Sequence, residues 1–84
     1  MAYKVVKKNV LNPQIFLMEV EAPLVAKKAE PGQFIILRID EYGERVPFTI
    51  ADFDREKGTV TIIVQIVGKT TKDLAQVEEG EEIL

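Results

Sequence analysis

Residues 45–52, RVPFTIAD, place an arginine, a proline and a threonine at alternate positions. If the segment is a strand, Arg45, Pro47 and Thr49 share one face, because successive side chains point to opposite sides. The guanidinium and the hydroxyl then lie about 13 Å apart at roughly 3.3 Å per residue. This spacing suits an extended ligand that has an anionic group at one end and a polar ring system at the other.

A simpler interpretation of the same segment needs no ligand. Arg45 and Thr49 would face solvent on an edge strand, where Pro47 prevents pairing with a further strand. In both interpretations the alternation places Phe48 on the opposite face, toward a core.

A second candidate site lies at residues 68–71, GKTT, where a short helix is predicted to begin. Gly68 allows close backbone approach, and the free N–H groups of a helix N-terminus attract an anion. Lys69, Thr70 and Thr71 are therefore candidates for holding a phosphate group. The alternative is that Thr70 or Thr71 is an N-cap with no ligand.

The strand predicted over residues 59–67 leads directly into this glycine. One of its faces is wholly apolar (Val60, Ile62, Val64 and Ile66), whereas the other is mixed and carries Gln65 near its end. Cover by a helix over 69–77 would explain the mixed face without a ligand. Alternatively, the face with Arg45 and Thr49, the end of the strand with Gln65, and the helix start after Gly68 together bind a ligand that has a diphosphate and a flat ring.

The composition excludes several classes of protein. The 84 residues contain no cysteine and no histidine, so disulfides, cysteine-held iron–sulfur clusters, the usual zinc sites and Ser-His-Asp or Cys-His catalysis are absent from this chain. We assign no catalytic residue and no metal ligand.

A net charge of −3 without a basic block argues against nucleic acid as a partner. No apolar run is long enough for a membrane span and no signal peptide is recognisable, so we expect a cytoplasmic location. Residue 63 is isoleucine where a P-loop has its first glycine, which excludes that motif.

The elements that must position these residues are short strands. Strands are predicted over residues 2–11, 14–22, 34–40, 45–52, 59–67 and 81–84, and one short helix over 69–77. Residues 34–40 are predicted to be buried, and residues 23–33 to be a connection closed by the turn Pro31-Gly32. This pattern predicts an all-β fold, a small six-stranded antiparallel barrel with one short helix.

The last apolar pattern, Ile83 and Leu84, is unfinished at residue 84. We therefore expect residues 1–84 to be one domain that lacks its complete closing strand, the N-terminal fragment of a longer protein. An open barrel edge would favour a homodimer.

The order RVPFTIAD and then VGKTTKDL, preceded by PGQFIILRI at residues 31–39, resembles the FAD-binding domain of the ferredoxin–NADP reductase superfamily. The similarity is to the branch that contains the electron-transfer subunit of dihydroorotate dehydrogenase, the sulfide dehydrogenase-like subunit and the small subunit of NADH-dependent ferredoxin–NADP oxidoreductase. It implies a Greek-key barrel that binds FAD. It further implies that a C-terminal nucleotide-binding domain for NAD(P)H and a [2Fe–2S] centre lie outside this chain, and that a catalytic or iron–sulfur subunit is the partner.

The resemblance also implies roles for individual residues. Thr49 would lie near the reactive edge of the isoalloxazine, Phe48 along the flavin, and Arg45 at the diphosphate. The superfamily arginine stands three residues before the hydroxyl residue, whereas Arg45 stands four before Thr49 and Val46 occupies the signature position. The flavin position of Phe48 conflicts with the alternation, and a bulge near Pro47 would reconcile the two.

The remaining implied cofactor contacts lie on the following strand and helix. Gln65, Ile66 and Val67 would line the flavin or its ribityl chain, and Gly68, Lys69, Thr70 and Thr71 would hold the diphosphate. The resulting hypothesis is an FAD-binding module of an NAD(P)H-linked electron-transfer oxidoreductase subunit, inactive as the 84-residue chain alone. The alternative is a small non-enzymatic β-barrel that pairs with a partner through an exposed strand edge.

Overall fold

The computed structural model describes residues 3–30, 32–38 and 41–84. Its elements are β1 (Tyr3–Asn12), β2 (Ile15–Glu21), α1 (Pro23–Lys28), β3 (Phe34–Leu37), β4 (Val46–Asp54), β5 (Thr59–Gln65), α2 (Lys69–Leu74) and β6 (Glu82–Ile83). The strands form one antiparallel sheet in the order β3-β4-β5-β2-β1-β6. This confirms the predicted all-β class with six antiparallel strands, here curled into a half-barrel.

The core lies on the concave side of the sheet and follows the alternation of β2 and β5. Val60, Ile62 and Val64 are fully buried, and β2 presents Val20, Met18 and Phe16 directly opposite them, in that order. Burying each such side chain contributes roughly 1.5–3 kcal/mol. The predicted apolar face of β5 is therefore confirmed.

The expectation that a helix covers the opposite face of β5 is wrong. Ile63 and Val67 expose 51% and 75% of their surface, respectively. Helix α2 has only six residues and directs its apolar Leu74 into the core. Lys8 Nζ on β1 donates to the carbonyls of Ala75 and Val77 and so ties the end of this helix to the sheet.

Strand β4 changes partner along its length. Residues 46–49 pair with β3, whereas the ladder with β5 begins at Ile50 opposite Ile62. Pro47 therefore interrupts none of the hydrogen bonds to β5, which explains why a proline is tolerated in this strand. The register shift lies between Ile50 and Asp52 and not near Pro47, so the alternation over 46–50 is intact.

Strand β3 has one buried face and not two. Ile35 and Leu37 are buried, but Phe34 and Ile36 expose 67% and 60% of their surface. The prediction of a buried strand is thus wrong for half of its side chains. Pro31 and the predicted strand end at residues 39–40 lie outside the described residues; Gly32, beside Pro31, has a φ of 86°, as the predicted turn requires.

The two edges of the curled sheet meet where Leu84 contacts Arg38. Within the sheet, Ile83 in β6 pairs with Tyr3 in β1. Leu84 then exchanges two backbone hydrogen bonds with Arg38, which follows β3 directly: Arg38 N–H donates over 3.0 Å and Leu84 N–H over 2.8 Å. The closing strand, expected to be incomplete, is short but does join both edges.

The connection after β2 contains a helix that the sequence prediction missed. Helix α1 begins at Pro23, the first helical position, where proline's missing N–H has no cost. Ala26 of this helix is buried. Because the proline was interpreted as ending the strand, its second role as a helix start was overlooked.

Candidate functional site

The outer face of the β3–β4 pair carries the predicted binding residues. Thr49 stands opposite Phe34, and Pro47 stands opposite Ile36, and all four side chains are exposed. Two apolar side chains and a proline form a flat surface with a hydroxyl at one corner. Such a surface suits an aromatic ring system that needs a hydrogen bond at its edge.

Two arginines continue this face at its other end. Leu37 and Val46 are the last pair between β3 and β4, and Arg38 and Arg45 are the residues next to them in the chain. Both line a groove of about 250 Å³, together with Tyr3, Ile36, Leu37 and Leu84. The sequence predicted Arg45 here but not Arg38, because residues 34–40 were interpreted as a buried strand. The signal for Arg38 was its alternation with Ile36 and Phe34.

The last residue of β5 and the two residues after it are the next predicted contacts. Gln65 and Val67 are exposed, and Ile66 is half-buried. The Ile66 N–H donates to the Gln14 carbonyl over 2.8 Å. The backbone donor of Ile66 therefore already has a partner within the fold.

The loop into α2 is organised by the hydroxyl of Thr71. Thr71 Oγ1 accepts from the N–H groups of Val67 and Gly68 at 2.9 and 3.0 Å, and donates to the Gly68 carbonyl at 3.0 Å. Thr71 is 8% exposed. Gly68 is the N-cap of α2 and Thr71 stands at N3, where its hydroxyl accepts from the N-cap N–H, so the alternative in which Thr70 or Thr71 is itself the N-cap is wrong. Lys69 is exposed, and the space around the Gly68 α-carbon is open.

The loop before β4 reaches the start of α2. Thr70 Oγ1 donates to Glu44 Oε2 over 3.4 Å, so the residue next to Arg45 contacts this helix. Arg38 and Thr70 also line one small crevice with Leu37, Phe48 and Leu74. The structure therefore brings Arg38, Arg45 and Thr70, which are far apart in sequence, to one corner of the domain.

Phe48 lies in the core, as the alternation predicted. It supports the exposed face from beneath and does not reach its surface. A flavin contact for Phe48 stays a prediction of the resemblance alone.

Among residues 3–30, 32–38 and 41–84 there is no group of acidic, histidine or cysteine side chains that could hold a metal ion. In the same part of the chain, no helix has the length and apolar character to cross a membrane.

The fold is that of a ferredoxin reductase-like domain, the class that the sequence resembles. A solved structure, described as the NADH-dependent reduced ferredoxin–NADP oxidoreductase, superposes with a TM-score of 0.94 at 41% identity. The match covers 98% of this chain and 30% of that one. The resemblance to the FAD-binding domain of the ferredoxin–NADP reductase superfamily, and to this branch of it, is confirmed.

Two protein sequences are similar to this chain over nearly its whole length. A Thermotoga maritima protein named dihydroorotate dehydrogenase B (NAD(+)), electron transfer subunit homolog, is 42% identical over 81 residues, which are 96% of this chain and 29% of the relative. A Clostridium beijerinckii protein, described as an uncharacterized protein in the adh 3′ region, is 60% identical over 81 residues, which are 96% of this chain and 27% of the relative. The chain thus spans less than a third of these relatives. No protein-family model matches it.

Proposed function

We propose that this domain holds FAD on the outer face of β3 and β4 and serves as the flavin module of an NAD(P)H-linked electron-transfer oxidoreductase. The observation that supports this most strongly is the exposed line of Thr49, Pro47 and Arg45 along one edge of a flat apolar surface. The line would run along FAD from its ring system to its diphosphate, with Thr49 and Pro47 at the ring and Arg45 at the diphosphate. When bound, FAD supplies hydride and single-electron transfer, and the protein supplies position and electrostatics.

The residues present fit this cofactor. Thr49 would hydrogen-bond the ring edge, and Phe34, Ile36 and Pro47 would pack under the ring. Gln65 at the end of β5, and Ile66 and Val67 after it, would line the flavin or its ribityl chain. Arg45 would neutralise the diphosphate by charge-assisted hydrogen bonds. Gly68, Lys69 and Thr70 would approach the diphosphate from α2, while Thr71 holds their loop in shape.

The activity of the whole protein needs parts that this chain does not contain. The chain has neither cysteine nor histidine, and it covers less than a third of the relatives it matches. We propose that residues 1–84 are the N-terminal domain of a longer reductase. A C-terminal domain would bind NAD(P)H, a cysteine cluster would bind [2Fe–2S], and a catalytic or iron–sulfur subunit would be the partner. The domain alone would then be inactive.

A homodimer through the barrel edge stays a prediction. The Arg38–Leu84 pair occupies one residue of the edge that β3 would offer. Light scattering of the purified protein measures this directly, and a monomer at all concentrations would contradict the dimer.

The proposal is tested with protein expressed from its natural reading frame and reconstituted with FAD. We expect flavin absorbance that stays with the protein through gel filtration. Arg45→Gln should weaken FAD binding about 10- to 100-fold, since a lost charge-assisted hydrogen bond has roughly that effect. Lys57→Gln is the matched control, because it removes the same charge from the exposed turn at the other end of β4. Protein that retains no flavin would refute the proposal.

A further inference from the structure

We propose that Arg38 is a second diphosphate ligand, so that Arg38 and Arg45 each bind one of the two phosphates of FAD. This inference rests on the proposed function. It starts from the β3–β4 pairing, which ends at Leu37 opposite Val46, so that Arg38 and Arg45 are the next residue on each side of the last pair. Both line the same groove of about 250 Å³.

The two positive charges lack compensation within the described part of the chain. Two like charges that line one groove repel each other. Among the described residues, neither guanidinium has a carboxylate within ion-pair distance, and the hydrogen bond of Arg38 is a long one, from Nη1 to the Glu41 carbonyl at 3.4 Å. An anion in the groove would replace this repulsion with attraction to both arginines.

The position of Arg38 is held by the closure of the sheet. Its backbone N–H and carbonyl both bond to Leu84, and its side chain is half-buried. It borders the groove on one side and the crevice shared with Thr70 and Leu74 on the other. The backbone of Arg38 is therefore already fixed, so that only its side chain has to be ordered when an anion binds.

The chemistry favours a diphosphate over a single phosphate. Each guanidinium is a planar fork that binds phosphate oxygens in a bidentate manner. Two guanidinium groups that line one groove can each bind one of two linked phosphates, whereas a single phosphate needs only one of them. Arg38 therefore contributes to the distinction between FAD and FMN, and not to the seating of the ring.

The test compares the binding of FAD, FMN and riboflavin to the protein from its natural reading frame. Arg38→Gln should weaken FAD binding about 10- to 100-fold, weaken FMN binding less, and leave riboflavin binding unchanged. Arg38→Lys keeps the positive charge but loses the planar guanidinium that binds phosphate in a bidentate manner, so its FAD affinity should fall between those of the wild type and Arg38→Gln. Lys57→Gln should bind all three flavins like the wild type. Dissociation constants come from flavin fluorescence, and thermal melts of each variant report whether the fold is retained.

The possible results separate the inference from the proposed function. If Arg38→Gln binds FAD as the wild type does while Arg45→Gln loses affinity, the role of Arg38 is overturned and the FAD site stands. Equal losses for FAD and riboflavin would show that Arg38 acts through the fold, which also overturns its role. Wild-type protein that binds no FAD would overturn both.

Discussion

Replacing Thr71 by valine removes a hydroxyl while it keeps the shape of the side chain. In the structure this hydroxyl makes three hydrogen bonds, two accepted from the Val67 and Gly68 N–H groups and one donated to the Gly68 carbonyl. Leaving two part-buried N–H groups without their acceptor costs roughly 1 kcal/mol each. We therefore expect Thr71→Val to lower the free energy of unfolding by about 2 kcal/mol.

The assay is thermal unfolding followed by circular dichroism. For a domain of this size, 1 kcal/mol corresponds to roughly 4–8 °C in Tm. A loss of about 2 kcal/mol should therefore lower Tm by about 8–16 °C. Urea unfolding should show a lower midpoint with an unchanged slope, because the surface exposed on unfolding stays the same.

Thr70→Val is the matched control for this experiment. The Thr70 hydroxyl makes one long bond to the exposed Glu44 carboxylate, so its removal should change stability by less than about 0.5 kcal/mol. Equal effects of the two substitutions would refute the reasoning. Thr71 would then not be the residue that organises the loop.

The remaining predictions concern the core and one turn. Ile62→Ala should lower the free energy of unfolding by about 2–5 kcal/mol, because Ile62 is fully buried between β2 and β4. Ile63→Ala should lower it by less than about 1 kcal/mol. Chemical unfolding of both variants measures the difference, and similar losses would contradict the assignment of the two faces. Gly58→Ala should lower the free energy of unfolding more than Gly80→Ala does. Both glycines have positive φ, at 71° and 92°. A Cβ at residue 58 would lie 3.2 Å from three atoms of Pro23, whereas a Cβ at residue 80 would meet nothing within 4 Å. The backbone term is about 1–2 kcal/mol for each glycine, so the excess measured for Gly58→Ala in the same assay reports the packing of α1 against the turn, and equal costs would show that Pro23 moves aside.

The sequence by itself determined the strands, the inward face of most of them, and the family. Alternation is a local property, so the residues of β4 and β5 could be assigned to a core face without any knowledge of their neighbours. The order of two short motifs was enough to indicate the ferredoxin reductase-like class. The same locality explains the errors: the continuous apolar run at residues 34–37 has no alternation to follow, so Phe34 and Ile36 were assigned to the core.

Only the tertiary structure decided which distant residues share a site. Arg38 meets Arg45 because β3 pairs with β4 in one particular register, and Leu84 meets Arg38 because the sheet curls until its edges touch. The place of α2, and with it of the loop that Thr71 holds, is set by contacts to the sheet through Lys8 and through the buried Leu74. These relations depend on strand pairing and curvature, which are set by the packing of the whole core and leave no period in the sequence.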